Sequence, residues 1–181
     1  MKFTKCEIEG LLILEPKIFG DERGCFFESY NQELFDKETK SQFRFLQDNH
    51  SLSNKNVVRG LHFQAPPFDQ GKLVCVVKGS VLDVVVDIRT KSPTFGQHFS
   101  IVLTGENYVQ FWIPPGFAHG FATLEDQTIF QYKCTNFYQP SSEDCVLWSD
   151  NQLDINWQVD QPIISEKDKK GKLWKELRSP F

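Results

Sequence analysis

No run of apolar residues approaches the ~20 that a membrane-spanning helix needs. The first ten residues, MKFTKCEIEG, lack the apolar stretch of a secretion signal. A cytoplasmic location and no membrane partner are therefore expected. A basic block is also missing: 20 Lys and Arg stand against 24 Asp and Glu, for a net charge of −4. That argues against nucleic acid as a main partner. The five cysteines, at 6, 25, 75, 134 and 145, are odd in number and form no C-x-x-C pair. This disfavours a disulfide framework or a zinc cage. Cys75, inside LVCVV, reads as a small buried residue. With no internal repeat and no linker, the 181 residues are expected to form one domain, 1–181.

Several catalytic signatures are absent too. There is no G-x-S-x-G elbow for a nucleophile, and neither a P-loop nor a dinucleotide fingerprint. No H-x-H occurs: His62 is followed two residues on by Gln64, and His98 and His119 stand alone. A metal site needs about three converging ligands, so no metal and no cofactor are expected.

What the chain does contain is β-structure. Hydrophobic residues make up 40%, with 17 Phe and 4 Trp, enough for a sizeable aromatic core. LLILEP, CFFESY, VVRGLHFQ, KLVCVV, VLDVVVDI, HFSIVL, YVQFWI, GFATL and TIFQYKCTNFY read as strands. Lys78-Gly79-Ser80 is a tight hairpin signal between two of them. In VLDVVVDI, alternation puts Leu82, Val84, Val86 and Ile88 on one face. Val81, Asp83, Val85 and Asp87 share the other, a mixed face suited to a wetter space. Asn31–Glu38 is a short helix candidate, with Asn31 as N-cap. Asn49 and Ser51, near the end of FRFLQDNHS, also suit a turn. Ser165 with Asp168 three residues on is a helix-cap signal, and the lysine-rich tail beyond it reads as a solvated end. So many strands with little helix predict an antiparallel sandwich or barrel.

The densest chemistry lies in VVRGLHFQAPPFDQGK, which holds Arg59, His62, Gln64 and Lys72. The bland alternative is a half-buried strand whose polar residues face solvent. Three further candidates are His119 after a Pro-Pro-Gly turn, Tyr132 with Tyr138 six residues on, and Lys167-Asp168. Without nucleophile or metal, these residue types suit proton transfer. A histidine can be the base, a tyrosine the acid and a lysine the partner of an enolate oxygen. A carboxylate can orient the histidine. That set serves proton abstraction next to a carbonyl.

FGDERGCFFESYN, QDNHS, VVRGLHFQ, QGKLV, DVVVDIR, SPTFG, IPPGFAHGF, YKCTNFYQPSSED and LWSD before SEKD follow one another from about Ile13 to Asp168. In this order they resemble the dTDP-4-dehydrorhamnose 3,5-epimerase family of metal-free, cupin-like jelly rolls. The resemblance implies an all-β antiparallel jelly-roll barrel with a few short peripheral helices. It implies conversion of dTDP-4-dehydro-6-deoxy-D-glucose to dTDP-4-dehydro-L-rhamnose, for dTDP-L-rhamnose and cell-surface polysaccharide such as O antigen. An epimerase of one carbon, or a ketoisomerase on another nucleotide-linked 4-keto-deoxysugar, is the alternative. His62 is implied as base with Asp168 as its partner, Tyr132 as acid on the opposite sugar face, and Lys72 as the enolate stabiliser. Arg23, Phe26, Glu28, Gln47, Asn49, Arg59, His119, Tyr138, Glu143 and Lys167 are implied substrate-binding residues, Tyr138 by stacking on thymine. A homodimer in which N-terminal strands cross to the partner is also implied. Cys25 stands where an aromatic is more usual.

Overall fold

The computed structural model describes residues 1–181. Fourteen strands and one α-helix follow one another. They are β1 (Lys2–Lys5), β2 (Leu12–Glu15), β3 (Phe19–Asp21), β4 (Gly24–Phe26), α1 (Gln32–Thr39), β5 (Gln47–Ser53), β6 (Val57–Gln64) and β7 (Lys72–Lys78). Then come β8 (Ser80–Asp87), β9 (His98–Thr104), β10 (Gln110–Ile113), β11 (Phe117–Thr123), β12 (Thr128–Cys134), β13 (Glu143–Cys145) and β14 (Ile163–Ile164).

Two sheets face each other. The first runs β1-β2-β10-β7-β12-β5, and the second β13-β6-β11-β8-β9, with β14 also beside β6. All pairings are antiparallel except β14 with β6. This is the expected antiparallel jelly-roll barrel, and the regular helix is confined to α1.

Alternation decides what each face buries. Val74, Val76, Phe111 and Phe130 of the first sheet meet Val81, Val85, Leu103 and Phe121 of the second in the barrel interior. Outside the first sheet, Leu12, Leu14, Leu73 and Trp112 are covered by Phe35 of α1, which meets Trp112 edge-on at 4.9 Å. The helix starts as expected, with the Asn31 side chain accepting from Leu34 N–H at 3.2 Å. Outside the second sheet, Val58, Leu82, Val84 and Ala118 are covered by Val146, Leu153 and Trp157. Burying side chains of this size contributes about 1.5–3 kcal/mol each.

Several expectations are corrected. Lys78-Gly79-Ser80 does not close a hairpin: β7 pairs with β10 and β12, and β8 with β11 and β9. The turn carries the chain from one sheet to the other, with Gly79 at φ +80°. The mixed face of β8 is dry, since Asp83 and Asp87 are both 0% exposed. Asp87 is satisfied locally by Arg89, Ser92 and Thr94. CFFESY stays a strand only to Phe26; beyond it the Phe27 ring packs at a tilt against Tyr108, centroids 4.8 Å apart. Asn49 and Ser51 lie inside β5 rather than in a turn. Cys75 is half-buried, on the outer side of β7. The Ser165 cap works, accepting from Asp168 N–H at 3.1 Å, but it starts a single 3-10 turn, Asp168–Lys170. The tail is not simply solvated: Trp174, Leu177 and Phe181 pack on the second sheet's outer layer between exposed lysines.

Candidate active site

A strand repeats every two residues, so Arg59 and His62 should point to opposite faces of β6. Both line the same cavity, while Val58, Leu61 and Phe63 lie in the outer layer. The register explains it. His62 pairs with His119 and Arg59 with Phe121, so β6 spends one residue more than β11 over the same span. The extra residue is a bulge at Gly60, φ +133°. A Cβ on Gly60 would lie 2.5 Å from Gly120 Cα, and one on Gly120 would lie 2.6 Å from Arg59 O. Glycine on both strands lets the bulge form and turns both side chains inward.

The resulting trench has two lobes, of about 550 Å³ and 230 Å³, which share His62, Lys72 and Tyr132. Such volumes suit a small-molecule site. The larger lobe adds Arg59, His119, Lys167 and Asp168, and the smaller adds Gln47, Asn49, Tyr138 and Glu143. His62 and His119 stand on the second sheet, Lys72 and Tyr132 on the first. A molecule between the sheets is therefore met by imidazole from one side and by phenol and ammonium from the other.

His62 Nε2 is 2.7 Å from Asp168 Oδ1. Asp168 N–H donates to Ser165 Oγ at 3.1 Å, and Gly60 N–H donates to Asp168 Oδ2 at 3.4 Å. Burial pushes the Asp168 carboxyl up, but the hydrogen bond and charge of His62, with Gly60 and Ser165, hold it below its usual range. An ionised carboxylate only accepts, so Nε2 carries the proton and Nδ1 keeps the free lone pair.

The second imidazole is His119, whose Nε2 is 2.9 Å from Asp83 Oδ2, both residues buried. Burial pushes His119 down and Asp83 up, against their mutual attraction. Asp83 Oδ1 has no partner. Burial also lowers the Lys72 ammonium, opposed by Cys134, Asp83 and Glu143. Tyr132 is pushed up to about 12, first by burial, and so stays protonated at neutral pH. At the smaller lobe, Tyr138 donates to Glu143 Oε2 at 2.6 Å and Lys167 binds the same oxygen. Burial raises Glu143, but those two contacts bring it net below the usual range. Tyr138 N–H donates to Gln47 Oε1 at 2.9 Å, and Gln47 Nε2 donates to Asn49 Oδ1 at 2.9 Å.

Ligand-capable atoms of His62, Cys145 and Asp168 lie within 4.8 Å of one another. Burial pushes the Cys145 thiol up to about 12, and its Sγ donates to Val146 O at 3.4 Å. A protonated thiol is a poor ligand, and the other two groups are bonded to each other. This donor set fits an oriented base better than a metal.

The trench thus gathers His62, Lys72, Tyr132, Asp168, Gln47, Asn49, Arg59, His119, Tyr138, Glu143 and Lys167. It does not gather Arg23, Phe26 and Glu28. Arg23 and Phe26 sit on the exposed β3–β4 hairpin, 85% and 72% exposed, with Arg23 paired to Asp21. Glu28 accepts from Asn31 nearby. Sequence reasoning named Asp83 only as part of a mixed face and Ser51, which lines the larger lobe, only as a turn former. Alternation had placed Asp83 on the mixed face of its strand, which was the usable signal.

A family model for dTDP-4-dehydrorhamnose 3,5-epimerase matches residues 5–176. The enzyme of that name from Salmonella typhimurium is 55% identical over 93% of this chain and 92% of its own length. That from Shigella flexneri is 52% identical over 94% of both. The crystal structure of a Legionella pneumophila dTDP-6-deoxy-D-glucose-3,5-epimerase in complex with dTDP-4-keto-L-rhamnose superposes with TM-score 0.94. It is 48% identical, over 97% of this chain and 94% of that one. The bulged strand, the two-sheet trench and these similarities agree: the chain belongs to the dTDP-4-dehydrorhamnose 3,5-epimerase family.

Proposed function

We propose that the chain converts dTDP-4-dehydro-6-deoxy-D-glucose to dTDP-4-dehydro-L-rhamnose by inverting C3 and C5. The observation that carries this reading is the placement of a carboxylate-oriented imidazole and a protonated phenol on opposing sheets of one trench. The 4-keto group acidifies the C–H bonds at C3 and C5. His62 Nδ1 removes a proton, and Asp168 stabilises the imidazolium that forms. Lys72 holds the enolate oxygen in a site shielded from water, where one such donor contributes about 2.7–4 kcal/mol. Tyr132 returns a proton from the other face; a phenol near 12 is still far more acidic than a C–H beside a ketone. The substrate supplies its own electron sink, so the scheme uses no cofactor.

Tyr138, against Glu143 and Gln47, is the thymine platform in this scheme, and Arg59 and Lys167 serve the diphosphate. Arg23 and Phe26 lie outside their own trench on a projecting hairpin, which supports a homodimer in which they close the partner's site. The reaction is placed in the cytosol, where nucleotide-sugars would be supplied.

The test is the reaction in heavy water with the dTDP-4-keto-6-deoxyglucose substrate. Deuterium is expected at both C3 and C5 of the product. Label at one carbon alone would make the protein a single-carbon epimerase, and no label would remove proton transfer altogether.

A further inference from the structure

One polar residue of the strand that carries the base has no part in the proposed chemistry. Gln64 follows His62 by two on β6, so the two share a face. It lines the smaller lobe with Tyr138 and Glu143 and is 5% exposed. Its carboxamide is used within the protein. Oε1 accepts from Gln139 N–H at 2.8 Å. Nε2 donates to Phe137 O at 3.2 Å and to Phe68 O at 2.5 Å. Both amide hydrogens are thereby committed, so Gln64 has no donor left for a ligand.

Phe137 O belongs to the peptide group entering Tyr138, and Gln139 N–H to the one leaving it. One side chain therefore grips Tyr138 from both ends. The entering peptide is held a second time, because Tyr138 N–H donates to Gln47 Oε1 at 2.9 Å. Packing does little to fix this residue: Tyr138 is 51% exposed, and its hydroxyl contact to Glu143 holds only the tip of the ring. A clamp on both flanking peptides sets the backbone there, and with it the direction in which the ring leaves the chain. The bond to Phe68 O brings the loop after β6 to the same point. That loop braces the Tyr138 segment further, with Gln70 Nε2 donating to Asn136 O at 2.8 Å and Asn136 Nδ2 to Pro67 O at 3.1 Å. A carboxamide suits this place because it sets one acceptor beside two donors without charge. A carboxylate would face two carbonyl oxygens, and a thioether of similar length would answer none of the three groups.

We infer that Gln64 is a positioning residue for the nucleotide: it holds the Tyr138 ring at a fixed reach from His62, since clamp and base stand two residues apart on one strand. This rests on the nucleotide-sugar reading of the trench, in which Tyr138 meets the thymine. A platform ordered before binding gains affinity, because no segment has to be immobilised as the nucleotide arrives. Gln64 acts on the substrate through Tyr138 and touches none of the reacting atoms.

Calorimetric titration of the full chain with dTDP is the test, with pyrophosphate as the probe that lacks the base. Gln64→Met is expected to weaken dTDP about tenfold. Pyrophosphate affinity should stay within about twofold of wild type, the scatter of uncoupled sites. In turnover, KM should rise about tenfold while kcat falls by less than about threefold. In a Tyr138→Ala background, Gln64→Met should cost dTDP nothing further, the mark of acting through that ring. A residue serving the fold alone would weaken both probes together. If Gln64→Met does not fold, Gln64→Glu, which keeps the acceptor for Gln139 N–H, carries the same comparison, and the same selective loss is expected of it. If the folded variant binds dTDP within about twofold of wild type, loses pyrophosphate equally, or weakens the Tyr138→Ala protein as much as wild type, the positioning role is wrong. Failure of the wild-type protein to bind dTDP would overturn the nucleotide-sugar reading itself, a result separable from the others.

Discussion

His62 and His119 face each other across neighbouring strands, and each holds an aspartate through Nε2, at 2.7 and 2.9 Å. The pairs look alike and are not. Asp168 arrives from a turn 106 residues beyond His62, and the imidazole keeps 27% of its side chain exposed. Asp83 stands on the adjacent strand, fully buried, with one oxygen unanswered. In the first pair hydrogen bonds outweigh burial and the carboxylate is held ionised. In the second, burial drives both partners toward neutrality. An ionised carboxylate makes its imidazole a better base; a neutralising pocket makes its imidazole a fixed polar contact. In the proposed scheme it is environment, not residue type, that favours His62 over His119 as the base.

The sharpest break of this comparison is His62→Ala. It should lower deuterium exchange at both C3 and C5 by about 10⁴-fold, the upper range for a positioned base. Exchange near the wild-type rate at either carbon would hand the role to His119. Since both imidazoles stand on one sheet, the opposite face depends on Tyr132. Tyr132→Phe should reduce inverted product about 10³-fold while exchange into recovered substrate persists. Following isotope content and stereochemistry together checks it; equal losses would mean Tyr132 acts in binding or proton removal.

The two aspartates should then respond with opposite signs. Asp168→Asn should lower kcat about 10²-fold and cost about 1.5–3 kcal/mol of stability at neutral pH. The lowered carboxyl of Asp168 stabilises the fold above the ordinary carboxylate range, near 4, and this is lost as pH falls through its folded value. Asp83 is raised, so its contribution is fullest below that range and declines as pH rises toward its folded value. Asp83→Asn should therefore leave the melting temperature at pH 7 unchanged or higher, with kcat down about tenfold through a misplaced His119. Thermal melts of both variants from pH 3 to 8 provide the measurement; parallel slopes would erase the distinction. The smallest effect is expected from a chelator. EDTA dialysis should leave turnover unchanged, and a loss restored by a divalent ion would recast His62, Asp168 and Cys145 as metal ligands.

Much of this arrangement could be read from the sequence, for definable reasons. Strands were legible because β-branched runs are bounded by Gly and Pro. The helix was legible because Asn31 is a cap. Which strands pair was not, because pairing is long-range: Lys78-Gly79-Ser80 has hairpin composition yet joins different sheets. His62, Lys72, His119, Tyr132 and Asp168 stood out in the sequence itself and took their roles from the family resemblance, whereas the shared face of Arg59 and His62 was not derivable from alternation. It depends on a bulge whose local trace is one glycine, Gly60, and whose cause is a second glycine on another strand. Asp83 and Ser51 were passed over because a buried polar residue and a solvent-facing one look alike until the covering strand is known.

The crossing at Lys78-Gly79-Ser80 also bears on how the chain comes to fold. Since successive strands there belong to different sheets, β6 finds its neighbours in β11, β13 and β14, and β7 in β10 and β12. Contacts of such long sequence separation must close large loops before they are rewarded, which slows folding. The bond between His62 and Asp168 closes one of the longest of these loops. Recovery of catalytic exchange after dilution from denaturant should therefore coincide with the slowest refolding phase. In the proposed scheme, a chain emerging from the ribosome gains its base only after the turn at Asp168 has been made and docked.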